Sequence, residues 1–134
     1  MRRFAAYAWA SPNTLIGLLA GFTMLLFGAG AGRIRGAIEF SGGAIGRVMA
    51  ARTRGFRISA MTLGHVILGT SETALSAARD HEHVHVRQYE HWGPFFLPAY
   101  LASSAWQLLC GRHCYRDNYF ERQAFGYRGD HALK

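Results

Sequence analysis

His81-Glu82-His83-Val84-His85-Val86-Arg87-Gln88-Tyr89-Glu90-His91-Trp92-Gly93-Pro94 is the run on which the reading of this chain turns. Gly93-Pro94 is a strong helix stop, and Thr70, Ser71 and Thr73 all suit an N-cap. One helix is therefore expected from Thr73 to Trp92, open to interruption near Asp80. On it His81 and His85 stand one turn apart on a shared face and can reach a single metal ion. Glu82 lies one residue round, placed to polarise a water on that metal. Zinc held by two imidazoles needs a further protein ligand and an open position. His83 and His91 fit a solvated helix face. His81 and His85, which share their face with Gln88, fit it less well.

The third ligand is sought in Asp117-Asn118-Tyr119-Phe120-Glu121-Arg122-Gln123-Ala124, where a last helix is expected from Asn118 to Tyr127. Glu121 has two readings there. With Asn118 as N-cap it falls at N3 and would close a capping box, its carboxylate turned back to its own backbone. On a helix packed antiparallel to the first, it would instead present that carboxylate to the metal. The HExxH context favours ligation. His91, His113 and His131 are reserves, and His91 ends the first helix on another face.

Upstream, no charged residue occurs from Phe4 to Gly32. The segment is long enough to cross a hydrocarbon core that needs about 20 apolar residues. A membrane anchor starting at Pro12-Asn13 is the preferred reading. A signal peptide with Arg2 and Arg3 as its basic start, and a buried core helix, are the alternatives. Gly17 and Gly21 have the GxxxG spacing that lets two membrane helices approach, which suggests a homodimer. The chain carries a formal net charge of +7, and residues 1–71 hold eight arginines against one acid, Glu39. Arginines 33, 35, 47, 52, 54 and 57 come after the apolar segment and place the C-terminal domain in the cytoplasm by the positive-inside tendency. The same arginines lack the interleaved aromatic platform of nucleic-acid sites, so nucleic acid is not an expected partner.

Between anchor and metal helix, Arg33 to Phe40 alternates as a half-buried strand closed by Ser41-Gly42-Gly43. Ala44 to Arg54 reads equally as a short helix or a basic loop. Strands are expected at Arg57–Leu63 and His65–Leu68, turning at Gly64. Beyond Pro94, Phe95 to Leu109 reads as an apolar helix packed in the core or lying in a membrane interface. Cys110 and Cys114 read as free thiols. The fold class is α+β: an N-terminal hydrophobic helix (1–32), then a domain (33–134) with a small antiparallel sheet, the HExxH helix, the apolar helix and a short Glu-bearing helix.

His81-Glu82-x-x-His85-x-x-Gln88 with the later Glu121-x-x-Ala124 resembles the gluzincin branch of zinc metallopeptidases, over roughly Arg57 to Phe125. His81 to Gly93 is also similar to an HExVHVRQYExWG signature of uncharacterised bacterial proteins. The resemblance implies a minimal zincin-like domain with His81, His85 and Glu121 as zinc ligands and Glu82 as general base. It implies hydrolysis of a peptide or protein substrate by zinc-activated water, with Tyr115, Tyr119, His113 or Arg116 as oxyanion donor. Many gluzincins carry an Asp or another polar residue four residues after the ligand glutamate. Here that residue is Phe125, which leaves Asp117 or Asn118 to orient a histidine. The strand at His65–Leu68 is expected to pair with an extended substrate as an exposed edge. The rival reading is a non-catalytic membrane protein that keeps the fold and the metal as a binding or assembly module.

Overall fold

The computed structural model describes residues 2–52 and 58–131, with side chains for 3–52 and 58–126. Arg54, Arg57, the expected strand start at Arg57 and the reserve side chain of His131 lie outside these. Helix α1 (Arg2–Leu26) opens the fold. Pro12-Asn13, read from sequence as a helix start, lies inside it. Proline has no N–H to offer the Ala8 carbonyl one turn back, and the Ser11 hydroxyl donates to that carbonyl instead, at 2.7 Å.

Strand β1 (Ala29–Ile34) and strand β2 (Ala37–Gly42) form an antiparallel hairpin where one strand, Arg33–Phe40, was expected. The turn residues Arg35 and Gly36 both have positive φ, at 52° and 87°, as a two-residue hairpin loop of the I′ kind requires. Helix α2 (Gly43–Arg52) follows, so the ambiguous segment is helical as far as Arg52. Strand β3 (Ala60–Leu63) and strand β4 (Val66–Gly69) turn at Gly64 as expected. The sheet order is β1-β2-β4-β3, with β2 and β4 parallel. The sheet is thus mixed where a wholly antiparallel one was expected, because the β3–β4 hairpin enters on its outer strand β3 and lays its second strand, β4, parallel to β2. This also corrects the edge. His65–Leu68 lies inside the sheet, and β3 is the outer strand.

Helix α3 (Glu72–Trp92) runs unbroken past Asp80, capped by the Ser71 hydroxyl on the Ala74 N–H and closed at Gly93. A single 3-10 turn (Gly93–Phe95) leads into α4 (Phe96–Leu109), and α5 (Tyr119–His131) comes after a loop. Cys110 and Cys114 are free thiols.

The sheet is covered on both faces, so β4 is buried throughout. Val66, Leu68 and Phe40 pack with Met24 and Leu18 of α1, while Ile67, Ala37 and Ala60 pack with Leu75 and Val86 of α3. Ala10, Tyr89, Phe96 and Phe120 join α1, α3, α4 and α5 in another cluster. The glycines expected to bring two α1 helices together face the chain's own sheet. A Cβ on Gly17 would sit 2.7 Å from Val66 Cβ, and one on Gly21 would strike the Phe40 ring. Among the described residues α1 is the one helix long and apolar enough to cross a membrane. Its outward side is apolar too: Phe4 is 81% exposed and Leu19 71%.

Candidate metal centre

The ligand set is built by α3 and α5. Helical periodicity puts His81 and His85 on one buried face of α3, and α5 packs across it and brings in Glu121. His81 Nε2 lies 3.0 Å from Glu121 Oε2, and His85 Nε2 lies 3.3 Å from Glu121 Oε1. The two imidazole Nε2 atoms are 3.2 Å apart, and one ligand atom from each residue fits within 4.8 Å. All three side chains are at least nine-tenths buried. Glu121 Oε2 is fully buried and faces His81 Nε2 alone, at 3.0 Å, so a cation between them would complete its satisfaction. Two nitrogens and a carboxylate oxygen suit zinc or a similar divalent ion.

The capping box does not form. Asn118 caps α5 as expected, its Oδ1 accepting from the Phe120 N–H at 2.9 Å, but the Glu121 carboxylate turns away to the histidines. The Asn118 backbone N–H that a capping box would use goes to the Tyr115 carbonyl. Glu121 is further held by the Tyr100 hydroxyl, which donates to Oε1 at 2.6 Å. Burial acts to raise the Glu121 carboxyl, but hydrogen bonds with His81, His85 and Tyr100 outweigh it and hold the pKa at about 2.

The ring orientation of His85 follows from Gln88. The Gln88 amide N–H group donates to the Phe120 carbonyl at 3.1 Å and to Gln123 Oε1 at 3.0 Å, so its oxygen faces His85. An acceptor at 2.8 Å requires Nδ1 to carry a proton, so in the neutral imidazole, the form that binds a metal, the Nε2 lone pair faces the centre. Gln88 therefore does what Asp117 or Asn118 was expected to do. Those two hold the α4–α5 loop instead: Asp117 Oδ2 accepts from the His113 N–H, and Asn118 Nδ2 donates to Ser104 Oγ and the Tyr100 carbonyl.

Glu82 is buried and its carboxylate is aimed by a residue that sequence reading missed. Thr62 of β3 donates to Glu82 Oε2 at 2.7 Å. Burial raises the Glu82 pKa, against the lowering pull of His85 and the Thr62 hydrogen bond. Glu82, the three ligands, Thr62 and Tyr115 all line one cavity of about 250 Å³. Its remaining wall is apolar, with Ile58, Met61, Phe96 and Leu97 among it.

Of the four expected oxyanion donors, the structure brings only Tyr115 to this cavity. Tyr119 is exposed and its hydroxyl accepts from Gln123, Arg116 is exposed, and His113 Nδ1 accepts from the Tyr115 and Arg116 N–H groups. Tyr100, read from sequence as core, joins Tyr115 there. Its apolar neighbours hid it, and no spacing rule would have found Thr62. Comparison of the chain with protein-family models, curated proteins and solved structures finds no match.

Proposed function

We propose that this protein is a membrane-associated, zinc-dependent peptidase of gluzincin-like design. The observation that carries the reading is the sharing of one cavity by the His81–His85–Glu121 group and the Glu82 carboxylate. A purely structural metal site has no use for an adjacent base held free of it. Bound there, zinc would supply Lewis acidity and make a coordinated water easier to deprotonate.

The chain's own residues then have these tasks. Glu82 takes the proton of the attacking water as its oxygen bonds to the peptide carbonyl carbon. When the C–N bond breaks, Glu82 returns that proton to the leaving amine. A carboxyl whose pKa is raised by burial exchanges a proton near neutrality more readily than an exposed one. Thr62 keeps it aimed. Tyr115 offers a hydroxyl proton to the oxygen that gains charge, while Tyr100 keeps its own on Glu121. Strand β3 is the outer strand beside the cavity, and its open edge suits an extended peptide or protein substrate. The apolar outward side of α1 and exposed Trp106, Leu108 and Leu109 of α4 support attachment to a membrane.

A second reading, a non-catalytic assembly module that retains the metal, is favoured by the cavity's size. About 250 Å³ is below the roughly 300–1,000 Å³ of ordinary ligand pockets. The two are separated by zinc content measured beside hydrolysis of an unstructured protein substrate. The peptidase reading expects about one zinc per chain, lost in His85→Ala and Glu121→Ala, with activity lost in Glu82→Gln while the metal stays. Zinc bound without any hydrolysis sensitive to Glu82→Gln favours the module.

A further inference from the structure

We propose a second binding site, for a phosphate-bearing anion, in the groove between the N-terminal end of α1, the β1–β2 turn and α3. The groove is about 740 Å³, and Arg3, Arg33, Arg35 and Arg87 line it from three different elements. Its one carboxylate, Glu90, is engaged by His65, whose Nε2 lies 3.0 Å from Glu90 Oε1. Four guanidinium groups, of which Arg35 is ion-paired with Asp80, outnumber the carboxylates here and give a concave surface of net positive potential, and the planar fork of arginine matches phosphate oxygens.

Two further observations make this more than a basic patch. His83 lines the groove with its side chain 9% exposed, and its buried Nε2 makes no hydrogen bond, standing 4.0 Å from Glu39 Oε1. An unsatisfied buried ring nitrogen costs free energy unless something completes it. The walls are also built. Tyr7 stacks on the His65 ring with centroids 4.0 Å apart and donates to the Gly36 carbonyl at 3.3 Å, which ties α1 to the hairpin turn. Within that turn Arg35 has φ 52°, a left-handed backbone normally left to Gly or Asn. The Arg35–Asp80 ion pair at 2.7 Å then links the turn to α3.

The ligand chemistry is a phosphate mono- or diester. It can come from a phospholipid headgroup or from a soluble phosphate, and the exposed Phe4 and Trp9 near this end of α1 make the lipid source testable. The full chain in neutral detergent is titrated with inorganic phosphate by calorimetry. In parallel it is floated on vesicles of phosphatidylcholine alone or with one part in four phosphatidylglycerol. Saturable one-site phosphate binding is expected, weakened about tenfold or more in Arg33→Gln/Arg87→Gln. Arg47→Gln/Arg112→Gln, which removes equal charge from outside the groove, should leave it unchanged. Flotation enhanced by phosphatidylglycerol in the wild type but not in the groove variant supports the site with a lipid source. Equal flotation on both vesicles, with phosphate binding intact, supports it with a soluble source. Absence of saturable phosphate binding overturns the proposal, as does equal weakening in the two double variants. Far-ultraviolet circular dichroism of both variants confirms that loss of binding is not loss of fold.

Discussion

His85 Nδ1 stands 2.8 Å from Gln88 Oε1, and this one contact decides which imidazole nitrogen is left to meet a metal. Gln88→Leu removes the acceptor that fixes the ring. Zinc affinity, measured by competition with a chromophoric chelator, is expected to fall about 10–100-fold. Gln88→Glu keeps the acceptor toward His85 but loses the donations to Phe120 and Gln123, so its affinity should fall less than that of Gln88→Leu. Three equal affinities would show that Gln88 only joins α3 to α5.

Thr62 acts on Glu82 through the carboxylate it donates to, at 2.7 Å. That hydrogen bond stabilises the charged form, so Thr62→Val should raise the Glu82 pKa beyond what burial already does. The acid limb of kcat/KM against pH then moves to higher pH, while zinc content is unchanged. A uniform drop in rate with an unmoved limb would mean that Thr62 serves packing alone.

Gly21 meets the Phe40 ring with no room for a Cβ. Gly21→Leu is expected to cost about 1–3 kcal/mol or more of unfolding free energy through overpacking between α1 and the sheet. The checks are chemical denaturation and light scattering in detergent. If Gly21 instead served a helix dimer, the variant would lose its oligomeric state and keep its unfolding midpoint.

In the metal-free protein, the Glu121 carboxyl is held at about 2, below its ordinary 4.5. A depressed folded-state pKa contributes stability that is complete above pH 4.5 and is lost as pH falls toward 2. Urea unfolding between pH 5 and pH 2 should show a loss on the order of 2–3 kcal/mol, absent in Glu121→Gln. The same loss in that variant would assign it to other carboxyls.

Much of the centre was legible because helix geometry is local. The spacing of His81 and His85 and the Gly93-Pro94 stop are properties of a few consecutive residues, and α3 forms around them as read. The hairpin was harder. Strand β1, Ala29–Ile34, is mostly glycine and alanine without alternation, and its turn places Arg35 where Asn or Gly is usual. Glu121 was ambiguous for a stronger reason. Capping box and ligand use the same residue at the same helical position, and only the packing of α5 on α3 chooses between them.

The order of residues along the chain was enough for the α+β class, the helix that carries two imidazoles and a carboxylate, and one apolar helix long enough for a membrane. Packing in three dimensions settled what those elements face. It set Gly17 and Gly21 against the sheet, moved the open edge from β4 to β3, and gave Glu82 to Thr62. The physical reason is range. Backbone propensity and side-chain period act over a turn or two, whereas a hydrogen-bond partner 20 or more residues away is fixed only when burial requires every polar group to find one.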